Sequence, residues 1–328
     1  YQRRGVTGNE PQTNKQVLTV SETLKRQQIC CLKSFGEMEK GVERWMVDIS
    51  EWNPCTHYFS FAMSFLPQHE HHSITRFFKL EDRKRALVSR LLQYALIHQV
   101  LGIPYNEIVI RRTAEGKPYL ECDKQLELPN FNFNASHHGD FVAIASEPIC
   151  LVGLDVVAQT VPEKESVEEF IRSFSSYFSR LEWFNIINAG SSRQILSEFY
   201  RYWSVKEAFV KAIGDGVGYK LDTIEFHHKN WENIIVKVDG KELKDWRFWL
   251  LELEKDHVAS IARGHPMYAT SSYKTTLNRT QFSDEEYNLG LHLPNASFIF
   301  RMVEDLLPSN ETGRVPTCLS QNCGVLKD

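Results

Sequence analysis

The sequence predicts an α+β protein built from two similar halves. Strong helical periodicity occurs twice, at residues 82–101 and 192–213, and each helix is followed by short strand-like runs. The halves also share a short sequence echo, because D-F-V-A-I-A at residues 140–145 returns as D-H-V-A-S-I-A at 256–262. A repeated helix-plus-strands unit of this kind indicates two α+β halves packed together.

Length, composition and charge exclude several classes of function. The 328 residues suffice for one large domain or two of ordinary size. A formal net charge of −4 gives no general electrostatic reason to bind nucleic acid or an anionic membrane, so an anion site must come from a local basic cluster. No apolar run approaches the length of a membrane-spanning helix, and we expect no membrane span. The seven cysteines include no C-x-x-C pair, which favours a reducing cytosolic setting.

Four segments of different character divide the chain. Residues 1–42 are polar and weakly periodic, and we expect a disordered leader there. Residues 43–158 and 159–264 are predicted to be the N-terminal and C-terminal α+β subdomains. Periodicity fades over residues 265–328, which we expect to be a mostly irregular tail apart from a short apolar segment at 298–307.

The first half opens with a short predicted strand at residues 44–49 and a long helix at 82–101 that Gly102 and Pro104 stop. The histidine-rich run at 69–72 lacks the spacing of a two-histidine zinc helix, so a surface loop is the better interpretation. Basic residues gather around the start of the helix and form either a solvated face or one wall of a phosphate site. They are Arg76, Lys79, Arg83, Lys84, Arg85 and Arg90.

A β-hairpin is predicted after this helix. Residues 108–112 and 117–120 are expected to pair as strands around a glycine-containing turn at 113–116. Arg112 and Lys117 flank the turn, where free backbone N–H groups also point outward. Arginine, lysine and free amides together suit a nucleotide phosphate.

Three further strands follow the hairpin. Residues 131–137 alternate between apolar and polar side chains, and residues 141–145 are expected to pair back on them. The apolar run at 151–154 ends at Asp155. An acid at a strand end is either a turn former or a ligand, and the groups that it meets in space decide between the two.

The second half is organised around the helix at residues 192–213, which a serine begins and Gly214 ends. Its apolar stripe contains Lys206, which must either extend to solvent or meet an anion, because burying an unpaired ammonium is costly. Glu207 and Lys211 lie one turn apart at the edge of the stripe. They are either a solvated helix pair or residues of a site.

Shorter elements surround this helix. S-R-L-E at residues 179–182 matches a capping box that begins a helix through Ile187. The glycine-rich run at 214–220 follows a helix and lacks the G-x-x-x-x-G-K-[S/T] pattern, so we interpret it as a flexible turn and not as a phosphate loop. Strands are expected at residues 223–227, 234–238, 246–250 and 257–262.

Basic groups near polar loops recur in this sequence together with two isolated acids, Asp155 and Glu207. Two carboxylates that a fold brings together can hold Mg²⁺ when phosphates supply further ligands. The residues therefore predict a phosphate-bearing substrate and phosphoryl-type chemistry, in which metal and lysine neutralise charge on the leaving group. They do not by themselves name the nucleotide.

Several segments resemble the 4′-phosphopantetheinyl transferases. W-S-V-K-E-A-F-V-K at residues 203–211 is similar to the W-x-x-K-E-[A/S]-x-x-K signature of that family, and V-G-L-D-V at 152–156 resembles its second signature, G-[I/V]-D. N-A-S-H at 134–137 and R-T-A-E-G-K-P at 112–118 also resemble family segments. The resemblance covers residues 43–264 and is closest to the animal aminoadipate-semialdehyde dehydrogenase type of the monomeric, surfactin-synthetase-associated class.

This resemblance implies two similar, pseudo-symmetric subdomains with coenzyme A in the cleft between them. It implies that Asp155 and Glu207 hold Mg²⁺ on the pyrophosphate, and that Glu207 also activates the attacking hydroxyl, directly or through water. With these two acids, Lys211 is implied to be catalytic, and Trp203 is implied to pack beneath the motif lysines. The residues implied to bind coenzyme A are Arg112, Thr113, Ala114, Glu115, Gly116, Lys117, Asn134, Ala135, Ser136, His137, Lys206 and Lys211.

The implied reaction is attack by a carrier-protein serine on the β-phosphate of coenzyme A. The pantetheine arm is transferred, and adenosine 3′,5′-bisphosphate leaves. The implied partners are apo acyl-carrier or peptidyl-carrier domains, of the fatty acid synthase or aminoadipate-semialdehyde dehydrogenase type, and the implied enzyme is a cytosolic monomer.

Two departures from the family pattern are visible. Bacterial members often carry a second acid two residues after the strand-end aspartate, where this chain has Val157, and members often carry a basic residue where this chain has Ser73. Two other functions are compatible with the residues. One is a non-catalytic module that binds carrier domains or an acyl-coenzyme A, and the other is a different nucleotide-dependent transferase.

Overall fold

The structure, a computed structural model, describes residues 36, 38–122 and 126–308. The predicted leader at residues 1–42 therefore lies almost entirely outside the described residues, as does the end of the predicted tail from residue 309 onward. None of the helices within the described ranges combines the length and apolar character needed to cross a membrane.

The elements of the first half alternate between helices and short strands. In chain order they are β1 (Arg44–Asp48), α1 (Thr56–Met63), α2 (Gln68–Thr75), α3 (Leu80–Leu101), β2 (Val109–Arg112), β3 (Pro118–Glu121), β4 (Asn132–His138) and β5 (Phe141–Glu147). Helix α3 ends at Gly102, whose φ of 67° is the left-handed conformation expected of a helix-ending glycine.

The second half begins with a strand. Its elements are β6 (Leu151–Ala158), α4 (Val167–Arg172), α5 (Arg180–Ile187), α6 (Ser192–Ile213), β7 (Ile224–Lys229), β8 (Glu232–Val238), β9 (Lys241–Leu243), β10 (Trp246–Leu253) and β11 (His257–Gly264). The C-terminal segment adds α7 (Ser271–Lys274), α8 (Asp284–Leu291) and β12 (Ile299–Phe300). The Ser179 capping box and the left-handed Gly214 lie at the helix ends where the sequence predicts them.

Two sheets of similar construction form the centre of the molecule. The first has the strand order β12-β1-β5-β4 and the second has the order β10-β11-β6. Helix α3 packs on β4 and β5, and α6 packs on β6 and β11. The hairpin β2-β3 and the meander β7-β8-β9 form two smaller sheets. The predicted α+β class with two similar halves is confirmed.

Three apolar clusters stabilise this arrangement. One lies under α3 in the first half, and another surrounds α6 in the second. The third lies between the two central sheets and joins the halves into one packed body. Its buried members include Met46, Phe141, Ala143, Val152, Leu154, Val156, Ala259 and Ile261.

The predicted boundary at residue 158 is wrong, because β6 belongs to the second sheet. This strand is antiparallel to β11 along its whole length, from the pair Leu151–Gly264 to the pair Ala158–His257. All eight residues of β6 are buried. The first half therefore ends before residue 151, and Asp155 lies in the same half of the molecule as Glu207.

Two further predictions differ from the structure. Residues 69–72 lie in helix α2, not in a loop, where Glu70 is buried and forms an ion pair with Arg90 at 2.8 Å. The described part of the predicted tail returns to the core. Strand β12 pairs in parallel with β1, and Val303 and Leu306 are buried in the apolar cluster of the first half.

Candidate active site

Helix α6 packs directly on strand β6, and a glycine permits the close approach. A Cβ atom on Gly153 would lie 1.8 Å from the Ala208 carbonyl oxygen and 2.5 Å from the Ala212 nitrogen, so a larger residue would push the helix away. The glycine of the second signature thus has a packing role. It brings the polar edge of α6 beside Asp155.

A cavity of about 410 Å³ opens between the two halves. Its walls come from the end of α2, from α3, from the β2-β3 turn and β4, and from the C-terminal end of α6. Five basic side chains line it, which suits a ligand with several phosphates. They are Arg76, Arg90, Arg112, Lys117 and Lys211.

A second cavity of about 370 Å³ meets the first at Ser136, His137 and Lys211. It contains both predicted acids, Asp155 and Glu207. Its opposite wall is aromatic and is formed by Phe170, Phe174, Phe199, Tyr200 and Trp203. The two cavities together offer a cationic pocket, an acidic site and an apolar wall in one continuous cleft.

Ser136, Asp155 and Lys211 form a hydrogen-bonded triangle where the cavities meet. Lys211 Nζ donates to Asp155 Oδ1 at 2.6 Å and to Ser136 Oγ at 3.0 Å. The hydroxyl of Ser136 donates to the same carboxylate oxygen at 3.3 Å. An ammonium has three hydrogens, and the side chain of Lys211 is 30% exposed. Its third hydrogen is therefore available to an anion in the cleft.

Glu207 is a carboxylate that lacks a partner within the described residues. It is half-buried in the second cavity and makes no hydrogen bond or ion pair with them. The pKa of Glu207 is raised, first because burial penalises the charged form and also because Asp155 is negative, while Lys211 opposes the shift. A half-buried acid beside another acid is stabilised by a shared cation.

The acid site fits Mg²⁺ through two carboxylates. Asp155 Oδ2 and both oxygens of Glu207 have no hydrogen-bond partner among the residues that the structure describes, and such oxygens are the ligands that Mg²⁺ prefers. No group of three or more His, Cys, Asp or Glu side chains suited to a metal occurs in those residues. Val157, at the position of the acid found in bacterial members, lines the same cavity. A Mg²⁺ ion bound here would need phosphate and water as its other ligands.

Side chains of β4 bind the free edge of β6 in a regular seam. Asn132 Oδ1 accepts from Val152 N at 3.0 Å, and Asn134 Oδ1 accepts from Leu154 N at 2.8 Å. The pattern continues along both strands by the same step of two residues. Ser136 Oγ accepts from Val156 N at 3.1 Å, and His138 Nδ1 accepts from Ala158 N at 3.0 Å. The polar face predicted for this strand is thus the joint between the two halves.

Lys206 does not reach either cavity. It is fully buried, and its Nζ donates to Glu182 Oε2 at 2.8 Å, to Leu221 O at 2.7 Å and to Ile224 O. These three acceptors use all three hydrogens of the ammonium. In the structure, the anion that Lys206 meets is therefore Glu182, and its ammonium has no hydrogen left for coenzyme A.

The other residues implied to bind coenzyme A differ in how they face the cleft. Thr113 and Ala114 line neither of the two cavities. The others line the first cavity, and they are Arg112, Glu115, Gly116, Lys117, Asn134, Ala135, Ser136 and His137. The Lys117 ammonium is held by Val152 O at 2.8 Å and Lys211 O at 2.6 Å. Burial and the charge of Lys211 lower the pKa of Lys117 to about 7.

His137 is a neutral group at the meeting point of the cavities. Its side chain is exposed to the cleft, but desolvation by the surrounding protein, together with the positive charges of Lys211, Arg85 and Arg90, lowers its pKa to about 4. A bound phosphate would offset these cations. The imidazole is therefore suited to hydrogen bonding with an anion at neutral pH.

Several site residues were missed by the sequence analysis. Four of them line the first cavity: Arg76, between α2 and α3, and Ser89, Arg90 and Gln93, in α3. Arg76 and Arg90 belong to the basic cluster for which the sequence leaves open a solvated face or a phosphate site, and Ser89 and Gln93 are buried polar residues one helical turn apart. That spacing was the available signal. His138, in the second cavity, has no such signal beyond its place in the alternating strand.

Two family models match the described part of the chain. The model for the 4′-phosphopantetheinyl transferase N-terminal region matches residues 50–149, and the model for the 4′-phosphopantetheinyl transferase superfamily matches residues 151–262. The junction of the two matches lies immediately before β6, where the structure divides the halves.

Several proteins of similar sequence carry related names. The L-aminoadipate-semialdehyde dehydrogenase-phosphopantetheinyl transferase of Mus musculus is 33% identical over 231 residues, which are 68% of this chain and 75% of that protein. The protein of the same name from Xenopus laevis is 34% identical over 241 residues, 71% of this chain and 80% of that protein. A phosphopantetheinyl transferase of Thraustochytrium sp. is 32% identical over 230 residues, 68% of this chain and 79% of that protein.

Proposed function

This chain belongs to the 4′-phosphopantetheinyl transferases, enzymes that move the phosphopantetheine arm of coenzyme A to carrier proteins, and we propose that Asp155, Glu207 and Lys211 carry out that reaction here. The resemblance inferred from the sequence is confirmed by the family match. The observation that best supports the site is Glu207, which has no hydrogen-bond partner in the described part of the chain and lies with Asp155 in the second cavity, next to its junction with the cationic one.

Coenzyme A is proposed to bind across both cavities. Its nucleotide end carries the phosphates and matches the cationic first cavity, where Arg76, Arg90 and Arg112 lie. The pyrophosphate would then lie at the junction, against the third hydrogen of Lys211 and near His137. The pantetheine arm would continue along the aromatic wall of the second cavity.

The proposed chemistry is a single displacement at the β-phosphorus of coenzyme A. The serine hydroxyl of the carrier forms a new P–O bond, and its proton passes to Glu207 directly or through water. The bond between the β-phosphorus and the bridging oxygen breaks, and adenosine 3′,5′-bisphosphate leaves with the electron pair. The raised pKa of Glu207 makes this carboxylate a better proton acceptor than an exposed one.

Charge on the leaving group must be neutralised for this step. Lys211 is fixed by Asp155 and Ser136 so that its free N–H can face the pyrophosphate. Mg²⁺, held by Asp155 and Glu207, would neutralise further negative charge on the phosphates when it is bound.

Incubation with a fluorescent coenzyme A, an apo acyl-carrier protein and Mg²⁺ tests this function. We expect the carrier to become fluorescent, with the label on its conserved attachment serine and only when the metal is present. A serine-to-alanine carrier is the matched control. If the protein binds both coenzyme A and the carrier yet gives no labelled product, it is a non-catalytic binding module and the proposal is wrong.

We also propose Mg²⁺ as the natural metal, acyl-carrier or peptidyl-carrier domains of fatty acid synthase and aminoadipate-semialdehyde dehydrogenase type as substrates, and a monomeric enzyme in the cytosol. The free thiol of Cys150 is compatible with a reducing compartment. Sedimentation of the purified chain and fractionation of cells that express it test the last two proposals.

A further inference from the structure

The seam between β4 and β6 fixes the tautomer of a histidine. His138 Nδ1 accepts the N–H of Ala158 at 3.0 Å, so this nitrogen presents its lone pair to the backbone. A neutral imidazole has one donor and one acceptor nitrogen, and the proton of His138 therefore lies on Nε2. Asn132 and Asn134 use their side-chain oxygens in the equivalent positions of the seam.

The same histidine belongs to the second cavity. His138 is exposed and lines that cavity together with Asp155 and Glu207, and the negative charge of Asp155 acts on its imidazole. Nε2 has no hydrogen-bond partner among the described residues. A donor held in one tautomer thus lies at the acid site, in the same cavity as the two carboxylates, Lys211, Ser136 and His137.

We propose that His138 is a substrate-contacting hydrogen-bond donor of the transfer reaction, whose Nε2–H binds an oxygen of the coenzyme A pyrophosphate. The inference rests on the proposed function and adds a residue to it. His138 does not act as a metal ligand, because Nδ1 is used by the backbone and Nε2 carries a proton. A metal bound here has two carboxylate ligands from the protein, and the imidazole neutralises part of the phosphate charge that they leave.

Two substitutions separate this role from the role in the seam. His138→Asn places an amide oxygen where Asn132 and Asn134 place theirs, so it keeps the bond to Ala158 but is too short to reach the substrate. His138→Gln has the reach of Nε2 and a donor at its end, but it moves the acceptor away from Ala158. We expect His138→Asn to unfold at nearly the wild-type temperature and to lower kcat roughly tenfold or more. We expect His138→Gln to be the less stable protein and to retain more activity than His138→Asn.

Two readouts besides the rate complete the experiment. The Mg²⁺ concentration for half-maximal activity should be unchanged in His138→Asn. Nitrogen-15 NMR of the labelled histidines, with His138 assigned by its loss in the variant, should show the Nε2–H tautomer and a shift of that signal when coenzyme A and Mg²⁺ are added to the wild type.

Three results would overturn the proposal. Wild-type kcat in His138→Asn would remove the donor role, and a large rise in its half-saturating Mg²⁺ concentration would make His138 a metal ligand. Equal losses of activity and stability in both variants would leave only the structural role. Absence of carrier labelling by the wild type would instead refute the proposed function, and the inference with it.

Discussion

Lys206→Met tests whether this motif lysine stabilises the fold or binds substrate. In the wild type, Glu182 is fully buried and accepts hydrogen bonds from Phe226 N and Ser179 N in addition to the ion pair with Lys206. Removing the ammonium leaves a buried carboxylate without its counter-charge. Loss of one partner from a buried pair costs about 3–5 kcal/mol. Burial already raises the pKa of Glu182, so the carboxylate can take up a proton when Lys206 is removed. Protonation removes part of the energetic cost, and we therefore expect a loss of unfolding free energy toward the lower end of this range.

The assay is thermal and urea-induced unfolding together with coenzyme A binding by calorimetry. For a protein of this size, such a loss lowers Tm by about 6–20 °C, at about 2–4 °C for each kcal/mol. The matched control is Lys206→Met combined with Glu182→Gln, which removes both charges and keeps an acceptor oxygen for one of the two backbone N–H groups. It should recover part of the lost stability, because the buried charge is gone while the other N–H loses its acceptor. Near-wild-type stability of Lys206→Met, with coenzyme A affinity reduced tenfold or more, would refute the reasoning and return Lys206 to the phosphate site.

Three further predictions follow from the site. Glu207→Gln should fold normally, keep its metal-free affinity for coenzyme A and lower transfer by about 10²-fold or more, as measured by carrier labelling; near-normal transfer would remove Glu207 from the mechanism. The same variant should gain stability relative to the wild type as pH rises. Because the folded-state pKa of Glu207 is raised, its ionisation above the ordinary value of 4.5 destabilises the folded wild type, and urea unfolding from pH 4 to 7 would detect this. Gly153→Ala should cost about 1–3 kcal/mol or more, because its Cβ would lie 1.8 Å from the Ala208 carbonyl oxygen, and an unchanged urea midpoint would contradict the close packing.

Local signals in the sequence predicted the local elements well. The end of α6 at Gly214 and the start of α5 at Ser179 follow from glycine and serine chemistry that involves a few neighbouring residues. The hairpin β2-β3 and strands β4 and β5 follow in the same way from alternation and turn residues. Each of these depends on contacts within one short segment.

Features that depend on distant contacts were missed or misplaced. Strand β6 follows β5 closely along the chain but pairs with β11, about a hundred residues later, and its uniformly apolar sequence does not specify a partner. Periodicity placed Lys206 in an apolar stripe and required an anion for it, but gave no means to choose Glu182 on another helix over a phosphate. The polar face of β4 was predicted, whereas its seam with β6 was not.

The pairing of acids at the candidate site was predicted only in part. The sequence and the family resemblance named Asp155, Glu207 and Lys211, and the structure places all three around one cavity. It also shows what the sequence could not, that Lys211 already pairs with Asp155 while Glu207 has no partner among the described residues. Such distinctions depend on side-chain geometry at distances of a few ångströms.

The central claim is that Asp155 and Glu207 jointly hold the cation that serves the pyrophosphate. Binding of Mn²⁺, followed by electron paramagnetic resonance with and without coenzyme A, tests it most directly. We predict one site in the wild type, tighter when coenzyme A is present, and a loss of tenfold or more in Asp155→Asn and in Glu207→Gln. Glu198→Gln, on the same helix but lining a different cavity, should bind as the wild type does. Wild-type Mn²⁺ binding in both site variants would contradict the claim.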